Sequence, residues 1–287
     1  QNWTHFLSYN PREAARPTKL LRRQGINMAF EARQSTVGKL LNDSIYRIPR
    51  NQRAYVWDEH NWKDLFEDIK LVTEEVATSH FIGSIVLMEE EEEDSLGVFT
   101  IIDGQQRVIT LTLLLSSLMF AFKKRNMINH ANGTKKYLVA IDTKDVEHVI
   151  VAPENHLSLT RIVEGVIAIS PEDAAVMSAV AFSKSKRASG SKDELIVKAF
   201  QYFSANFAKM KDEELLAFRD AVISVAYVNI KSSSEEDSYT IFEILNARGI
   251  ELEDHELLKN YIMRYIHPVE KRDDAKQMWS EIEATVG

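Results

Sequence analysis

Hydrophobic and polar positions predict an extended segment followed by a helix in the first third of the chain. The run IYRIPRNQRAYVW, residues 45–57, is rich in strand-forming residues, and Pro49 limits how far a hydrogen-bonded ladder can continue. Asp58 is a candidate N-cap for the helix. Six apolar residues after it recur at intervals of three and four: Trp62, Leu65, Phe66, Ile69, Val72 and Val76.

A strand, a turn and a helix are predicted between residues 97 and 118. FIGSIVLM (81–88) and GVFTII (97–102) are short apolar runs typical of strands, and EEEEEDSL between them is read as a solvated loop or a site for a metal or a basic partner. The polar residues DGQQR (103–107) follow. Five apolar residues then recur with helical spacing on one broad face: Val108, Leu111, Leu114, Leu115 and Leu118.

The second half is predicted to be mainly helical. YLVAI and VEHVIVA indicate two strands, and KSKRASGSK, residues 184–192, indicates a basic loop. Periodicity then predicts helices over 192–210, 212–222, 235–245 and 254–267, with a strand over 221–230. We therefore expect an α+β chain with an N-terminal arm (1–39), a small sheet with helices (40–126) and a mainly helical domain (127–287) that completes the site.

Composition excludes several classes of chemistry. The 287 residues include no cysteine, which removes disulfides, zinc-thiolate sites and cysteine nucleophiles and fits a cytoplasmic location. A net charge of −8 opposes a protein whose main role is to neutralise a phosphate backbone, so any nucleic acid is expected at a local patch. Uninterrupted apolar runs of about 18–20 residues are absent from the sequence, and we expect no membrane partner.

The DGQQR segment has the chemistry of an anion site. A strand ending in Asp103-Gly104 and leading into a helix places polar residues at the helix N-terminus, where N–H groups and the macrodipole favour an anion. Gly104 permits a sharp turn, and Arg107 in the first turn can reach a phosphate or carboxylate. Gln105 and Gln106 donate and accept, while Asp103 caps the helix or holds magnesium. The alternative is a capped helix whose Arg107 pairs with a nearby acid.

Two further polar clusters accompany this segment. IPRNQRAYVW, 48–57, contains Arg50, Asn51, Gln52, Arg53, Tyr55 and Trp57 within ten residues. FEILNARGIELEDHELLKNYI, 242–262, contains Asn246 and Gly249, which suit a helix C-terminus, and Asp254, which suits the next N-cap. This third cluster is either a helix–turn–helix corner or a set of ligand contacts from Asn246, Arg248, Lys259 and Asn260.

These motifs together resemble a known family. IPRNQRAYVW, FIGSIVL, IIDGQQRVITLTLLL and FEILNARGIELEDHELLKN, in this order, are similar to the N-terminal domain of GmrSD-type modification-dependent restriction proteins and related phage-defence enzymes. The similarity covers residues 40–126 and 235–265. It implies a ParB/sulfiredoxin-like fold in which Asp103, Gly104 and Arg107 hold nucleotide phosphate between a strand and a helix.

The resemblance implies an NTPase regulatory domain that senses modified double-stranded DNA, with Mg²⁺ and a nucleoside triphosphate as cofactors. Full-length members carry an HNH-type nuclease domain, and the eight histidines of this sequence are scattered and form no paired spacing suited to one. We therefore expect a fragment, or a member that relies on a partner subunit for cutting, and homo-oligomerisation stays open. The expected catalytic residues are Asp103, Gln105, Gln106 and Arg107, with Asp103 also the metal ligand. The expected nucleotide-binding residues are Gln52, Arg53, Tyr55, Gly104, Arg107, Thr110, Asn246 and Gly249.

Two other functions are open from the sequence. The polar groove is also suited to a non-hydrolysing module that binds modified DNA, with Lys184, Lys186, Arg187 and Lys192 supporting phosphate contacts. A metal-dependent nuclease would use Asp103 together with Glu243 or Asp58.

Overall fold

The computed structural model describes residues 30–246, except positions 43, 51, 78, 93–94 and 186–192. The predicted arm up to residue 29, the predicted helix over 254–267 and Gly249 therefore lie outside the described residues. The strands are β1 (Phe30–Thr36), β2 (Ser44–Ile48), β3 (Phe81–Glu89), β4 (Gly97–Asp103), β5 (Val139–Ile141), β6 (Glu147–Val149), β7 (Val151–Pro153) and β8 (Ala226–Ser232). The helices are α1 (Val37–Leu40), α2 (Glu59–Thr73), α3 (Gln105–Lys124), α4 (Ile128–Lys135), α5 (Leu157–Ala168), α6 (Pro171–Val176), α7 (Ala179–Ser185), α8 (Glu194–Phe207), α9 (Asp212–Ser224) and α10 (Glu235–Asn246).

Six strands form one mixed sheet in the order β1-β8-β3-β4-β2-β7, and β5 pairs with β6 as a separate hairpin. Strands β2 and β4 run parallel, whereas β3 is antiparallel to β4. Parallel pairing brings the carboxyl ends of β2 and β4 to the same edge of the sheet. The α+β class is confirmed. The ParB/sulfiredoxin-like topology and the domain boundary near residue 126 stay predictions, and the sheet takes strands from both sides of that residue.

The two faces of the sheet are covered by different parts of the chain. Side chains of a strand alternate between faces, and in β3 Ile85 and Leu87 join the main core with α3 while Val86 joins a smaller cluster. That smaller cluster contains Ile241 of α10. Among the described residues the main core is one cluster of packed side chains, whose members range along the chain from Val37 to Tyr227.

Helix α3 is buried on all sides, although the sequence predicted one broad apolar face. Even three polar side chains are buried, those of Thr112, Ser116 and Ser117. Their burial is tolerated because their hydroxyls donate to carbonyl oxygens one turn earlier at 2.7–2.9 Å. The helix has the length and hydropathy of a membrane span, but nearly all of its most apolar window is enclosed by the protein. It is therefore the central helix of this fold.

Three consecutive cations at the end of α3 bind the ends of three other helices. Lys123 Nζ donates to two carbonyls at the end of α5, and Lys124 Nζ donates to three at the end of α6. Arg125 Nη2 donates to two carbonyls at the end of α8 and just after it, at 2.9 and 2.6 Å. Terminal helix carbonyls lack intrahelical partners, and cations there also interact favourably with the helix dipole.

Two local predictions are wrong, and several elements had no prediction. Residues 30–39 of the predicted arm form β1, which pairs with β8 in the sheet, and most of α1. Strand β2 ends at Ile48, so Tyr55 belongs to no strand; its apolar ring is explained by burial in the core. Residues 221–224 end α9 rather than begin a strand. Helices α4 to α7 had no prediction, although the apolar spacing of α5 and the Ser170-Pro171 start of α6 are ordinary helix signals.

Candidate functional site

The junction of β4 and α3 is a sharp turn at Gly104. This residue has φ +92° and ψ 9°, the left-handed conformation, and forms the N-cap of α3 without a side chain to cap it. A Cβ at this position would lie 3.0 Å from Ile85 Cγ1 and 3.4 Å from Ser84 O. The first N–H groups of a helix have no intrahelical acceptor. The start of α3 therefore has no side-chain cap. The expectation that Asp103 caps this helix is wrong, because Gly104 occupies the N-cap.

We expect Gly104→Ala to lower the free energy of unfolding by about 1–3 kcal/mol, because an L side chain is strained at this φ and meets Ile85. Chemical denaturation measures the effect. Gly133→Ala is the matched control: it lies in α4, and its new Cβ would come no closer than 3.8 Å to Arg219 Nη1. It should be neutral or stabilising by about 0.5–1 kcal/mol. Equal effects of the two changes would remove the strain argument.

The two glutamines of DGQQR bind the segment 52–57, which is named the QR segment below. Gln106 Nε2 donates to Ala54 O at 3.0 Å, and its Oε1 accepts from the N–H groups of Val56 and Trp57 at 2.8 and 3.4 Å. Gln105 Nε2 donates to Arg53 O at 3.0 Å. The first two polar clusters of the sequence therefore meet in space.

Two buried acceptors at this meeting point have no partner among the described residues. They are the Oε1 atoms of Gln52 and Gln105. Their amide orientation is fixed, because Nε2 of Gln52 donates to Ile101 O and Nε2 of Gln105 donates to Arg53 O. A buried acceptor without a donor is unfavourable. A water or a ligand that donates a hydrogen bond would satisfy either oxygen.

Arg107 lies beside the uncapped turn and is held against β3. Nη1 donates to Ile82 O at 2.9 Å and to Ser84 O at 2.7 Å, and Nη2 donates to Asp103 Oδ2 at 3.3 Å. A guanidinium has five N–H donors, so two have no partner among the described residues. Burial lowers the pKa of Arg107, Asp103 opposes that effect, and the positive charge of Arg53 adds to it. The sequence offered pairing of Arg107 with a nearby acid as the alternative to an anion site. That pairing is present, but two N–H donors of Arg107 still have no partner among the described residues.

Asp103 offers one uncommitted carboxylate oxygen. Its side chain is 26% exposed, and Arg107 contacts only Oδ2. No group of three or more His, Asp or Glu side chains in the described part of the chain is arranged to hold a metal. Asp58 caps α2 by accepting from His60 N, as predicted, and the side chain of Glu243 lies outside the described residues.

A family described as "GmrSD restriction endonuclease, N-terminal domain" matches residues 37–263. The chain belongs to the GmrSD N-terminal domain family. Among curated proteins, none matches the chain. Membership gives this GmrSD domain a role in a restriction system, which is an antiviral defence.

Tyr55 and Thr110 of this GmrSD domain are buried in a chain of hydrogen bonds. Trp62 Nε1 donates to the Tyr55 hydroxyl at 2.8 Å, which donates to Thr110 Oγ1 at 2.7 Å, and Thr110 donates to Gln106 O. Burial raises the pKa of the Tyr55 hydroxyl, so it stays protonated. Because Tyr55 is only 2% exposed, we assign both residues the role of holding the QR segment.

Sequence reasoning missed two buried residues that reach the same segment. His156 Nε2 accepts from Tyr55 N at 3.2 Å, and its Nδ1 lies 3.1 Å from Asp193 Oδ1. Asp193 Oδ2 also accepts from Ser158 N at 3.2 Å. Burial would raise the pKa of Asp193, but its bonds to His156 and Ser158 lower it overall. No spacing in the sequence links residues 55, 156 and 193, since only the fold brings them together.

Two other features of the GmrSD domain are helix α10 and a cleft. Asn246 is the last residue of α10, which packs on the opposite face of the sheet; its side chain and Gly249 are outside the described residues. A cleft of about 490 Å³ borders β2, β7, the β5–β6 hairpin and α5, and contains none of the predicted site residues. Its lining residues are Ile45, Arg47, Val139, Glu147, His148, Val149, Ala152, Thr160, Glu164 and Ile167.

Proposed function

We propose that this GmrSD domain binds and hydrolyses a nucleoside triphosphate and that hydrolysis regulates action on modified DNA. The observation that carries the proposal is the position of Arg107: a largely buried guanidinium with two uncommitted donors beside the uncapped start of α3. Helix N-termini and arginine forks both favour phosphate oxygens. Arg53, whose charge acts on Arg107, supplies a second cation.

Electrostatics favours a multiply charged anion at this position. The positive charge of Arg53 acts on Arg107, and Gln105 holds the backbone of Arg53 through its carbonyl. A polyphosphate between the two guanidinium groups would replace repulsion by two attractions, in a setting where burial strengthens charge interactions. Phosphoryl transfer depends mostly on positioning and on stabilising charge. These groups support the proposal of a phosphoryl-transfer reaction at this position.

Gln105 is the glutamine suited to orient the attacking water. Gln105 and Gln106 are both among the expected catalytic residues. The Oε1 of Gln106, however, already accepts from Val56 N and Trp57 N. The Oε1 of Gln105 is buried without a partner in the described residues. It can accept a hydrogen bond from water and point the oxygen lone pair toward a phosphate.

Asp103 is suited to be a carboxylate ligand of Mg²⁺. Mg²⁺ is commonly bound through one or two carboxylates together with substrate phosphates and water, and Asp103 has one oxygen with no described partner. Mg²⁺ would neutralise phosphate charge when bound. Within the chain, Asp103 also orients Arg107 by accepting from Nη2.

A calorimetric titration with ATP or GTP and MgCl₂ tests the binding. We expect saturable binding without DNA, weakened about tenfold in Arg53→Ala, which is the loss of one charge-assisted contact worth about 1.4 kcal/mol. Arg33→Ala is the control, because Arg33 is an exposed arginine paired with one glutamate on β1. Binding of modified DNA alone, with a steep salt dependence and no nucleotide binding, would instead support a DNA-binding module.

A further inference from the structure

We propose that His156 is a positioning residue that holds the QR segment against the start of α3 and thereby sets the place of Arg53. This inference rests on the proposed function and extends it to a residue of the helical half. Its basis is one contact: His156 Nε2 accepts from Tyr55 N at 3.2 Å, in the middle of the QR segment. Arg53 is two residues earlier on the same short segment.

The aspartate behind His156 fixes which ring nitrogen can accept. Asp193 Oδ1 lies 3.1 Å from Nδ1, and a carboxylate accepts, so Nδ1 carries the proton. Nε2 is then left with its lone pair toward Tyr55 N. His156 is 2% exposed and Asp193 is 3% exposed, so water does not compete for either contact.

The hydrogen bond between His156 and Tyr55 N, called the tether below, also joins separate parts of the fold. His156 immediately precedes α5, and Asp193 immediately precedes α8. The glutamines of α3 hold the QR segment from one direction through Arg53, Ala54 and Val56. His156 holds Tyr55, which lies between Ala54 and Val56, from another direction. The backbone of residues 53–57 is thus fixed without belonging to a helix or strand.

Hydrogen exchange at the Tyr55 amide and steady-state kinetics test the proposal in the full chain. His156→Leu removes the acceptor and should speed exchange at Tyr55 about tenfold or more. It should also raise KM for ATP or GTP about tenfold while leaving kcat within about threefold. His156→Gln keeps an acceptor near the position of Nε2 and should restore both values to within about threefold of wild type.

Asp193→Asn provides an independent variant if His156→Leu does not fold. The new amide can donate to Nδ1 and move the ring proton to Nε2, which removes the acceptor for Tyr55 N. Exchange and KM should then rise as in His156→Leu. His148→Leu is the control, because it breaks another His–Asp pair, with Asp142, away from the QR segment; it should change neither value.

The outcomes separate the two proposals. Unchanged exchange at Tyr55 in both His156→Leu and Asp193→Asn overturns the tether. Faster exchange with unchanged KM overturns its role in positioning Arg53. A wild-type protein that turns over neither nucleotide overturns the proposed function, while the exchange measurements still decide whether His156 holds the QR segment.

Discussion

Arg107→Ala is expected to lower kcat/KM for nucleotide hydrolysis by about 10²- to 10³-fold, the usual effect of losing one preorganised donor to a developing charge. Arg107 is the cation at the start of α3. Under the proposed function, its burial would strengthen a contact with phosphate. Turnover of ATP and GTP by purified protein measures the effect. Arg107→Lys should recover little, because an ammonium cannot bind two carbonyls, Asp103 and phosphate as a fork does.

Loss of structure must be separated from loss of chemistry in this experiment. Arg107 also donates to Ile82 O and Ser84 O, so the thermal midpoint of each variant has to be measured. Arg219→Ala is a matched control, since Arg219 is a similarly buried arginine bonded to one aspartate, Asp220, on α9. Turnover by Arg107→Ala equal to that of Arg219→Ala would remove Arg107 from the mechanism.

Phe66→Ala is expected to lower the free energy of unfolding by about 3–5 kcal/mol. Phe66 is 5% exposed and joins α2 to α8 and α9. Its ring centroid lies 4.7 Å from that of Phe218, 5.5 Å from Phe207 and 6.4 Å from Phe203. Truncation removes aromatic contacts and leaves a cavity that these rings cannot fill by small movements.

Urea denaturation measures this loss, and Phe81→Ala serves as the control. Phe81 is 46% exposed at the start of β3, so the same atoms are removed from a site that water already reaches. A loss of about 1 kcal/mol is expected there. Comparable losses in the two variants would mean that the aromatic cluster does not hold α2 to the helical half.

The sequence predicted the β4–α3 junction because its signals are local. A short apolar run, a glycine and a helical repeat follow one another directly, so strand, turn and helix can be placed without knowing the rest of the fold. The meeting of DGQQR with the QR segment was also expected, because the family resemblance assigns residues of both clusters to one nucleotide site, and the bonds of Gln105 and Gln106 confirm that the two segments meet. Local signals could not show which hydrogen bonds Gln105 and Gln106 each make, because these bonds depend on where the backbone of Val56 and Trp57 lies.

The missed features depend on contacts between distant positions. Tyr55 has the strand preference of an aromatic residue, but its conformation is set by Thr110, Trp62 and His156. Helix α3 looked amphipathic because serine and threonine are counted as polar, yet their hydroxyls bond to their own helix and can be buried. Pairwise contacts of this kind become visible only in three dimensions.

The cations at the far end of α3 have a mechanical consequence. Lys123, Lys124 and Arg125 attach the ends of α5, α6 and α8 to a single turn, while the opposite end of α3 carries DGQQR. A helix of twenty residues is about 30 Å long. Were it to rotate as a rigid body, a rotation imposed at one tip would displace three helix ends at the other simultaneously.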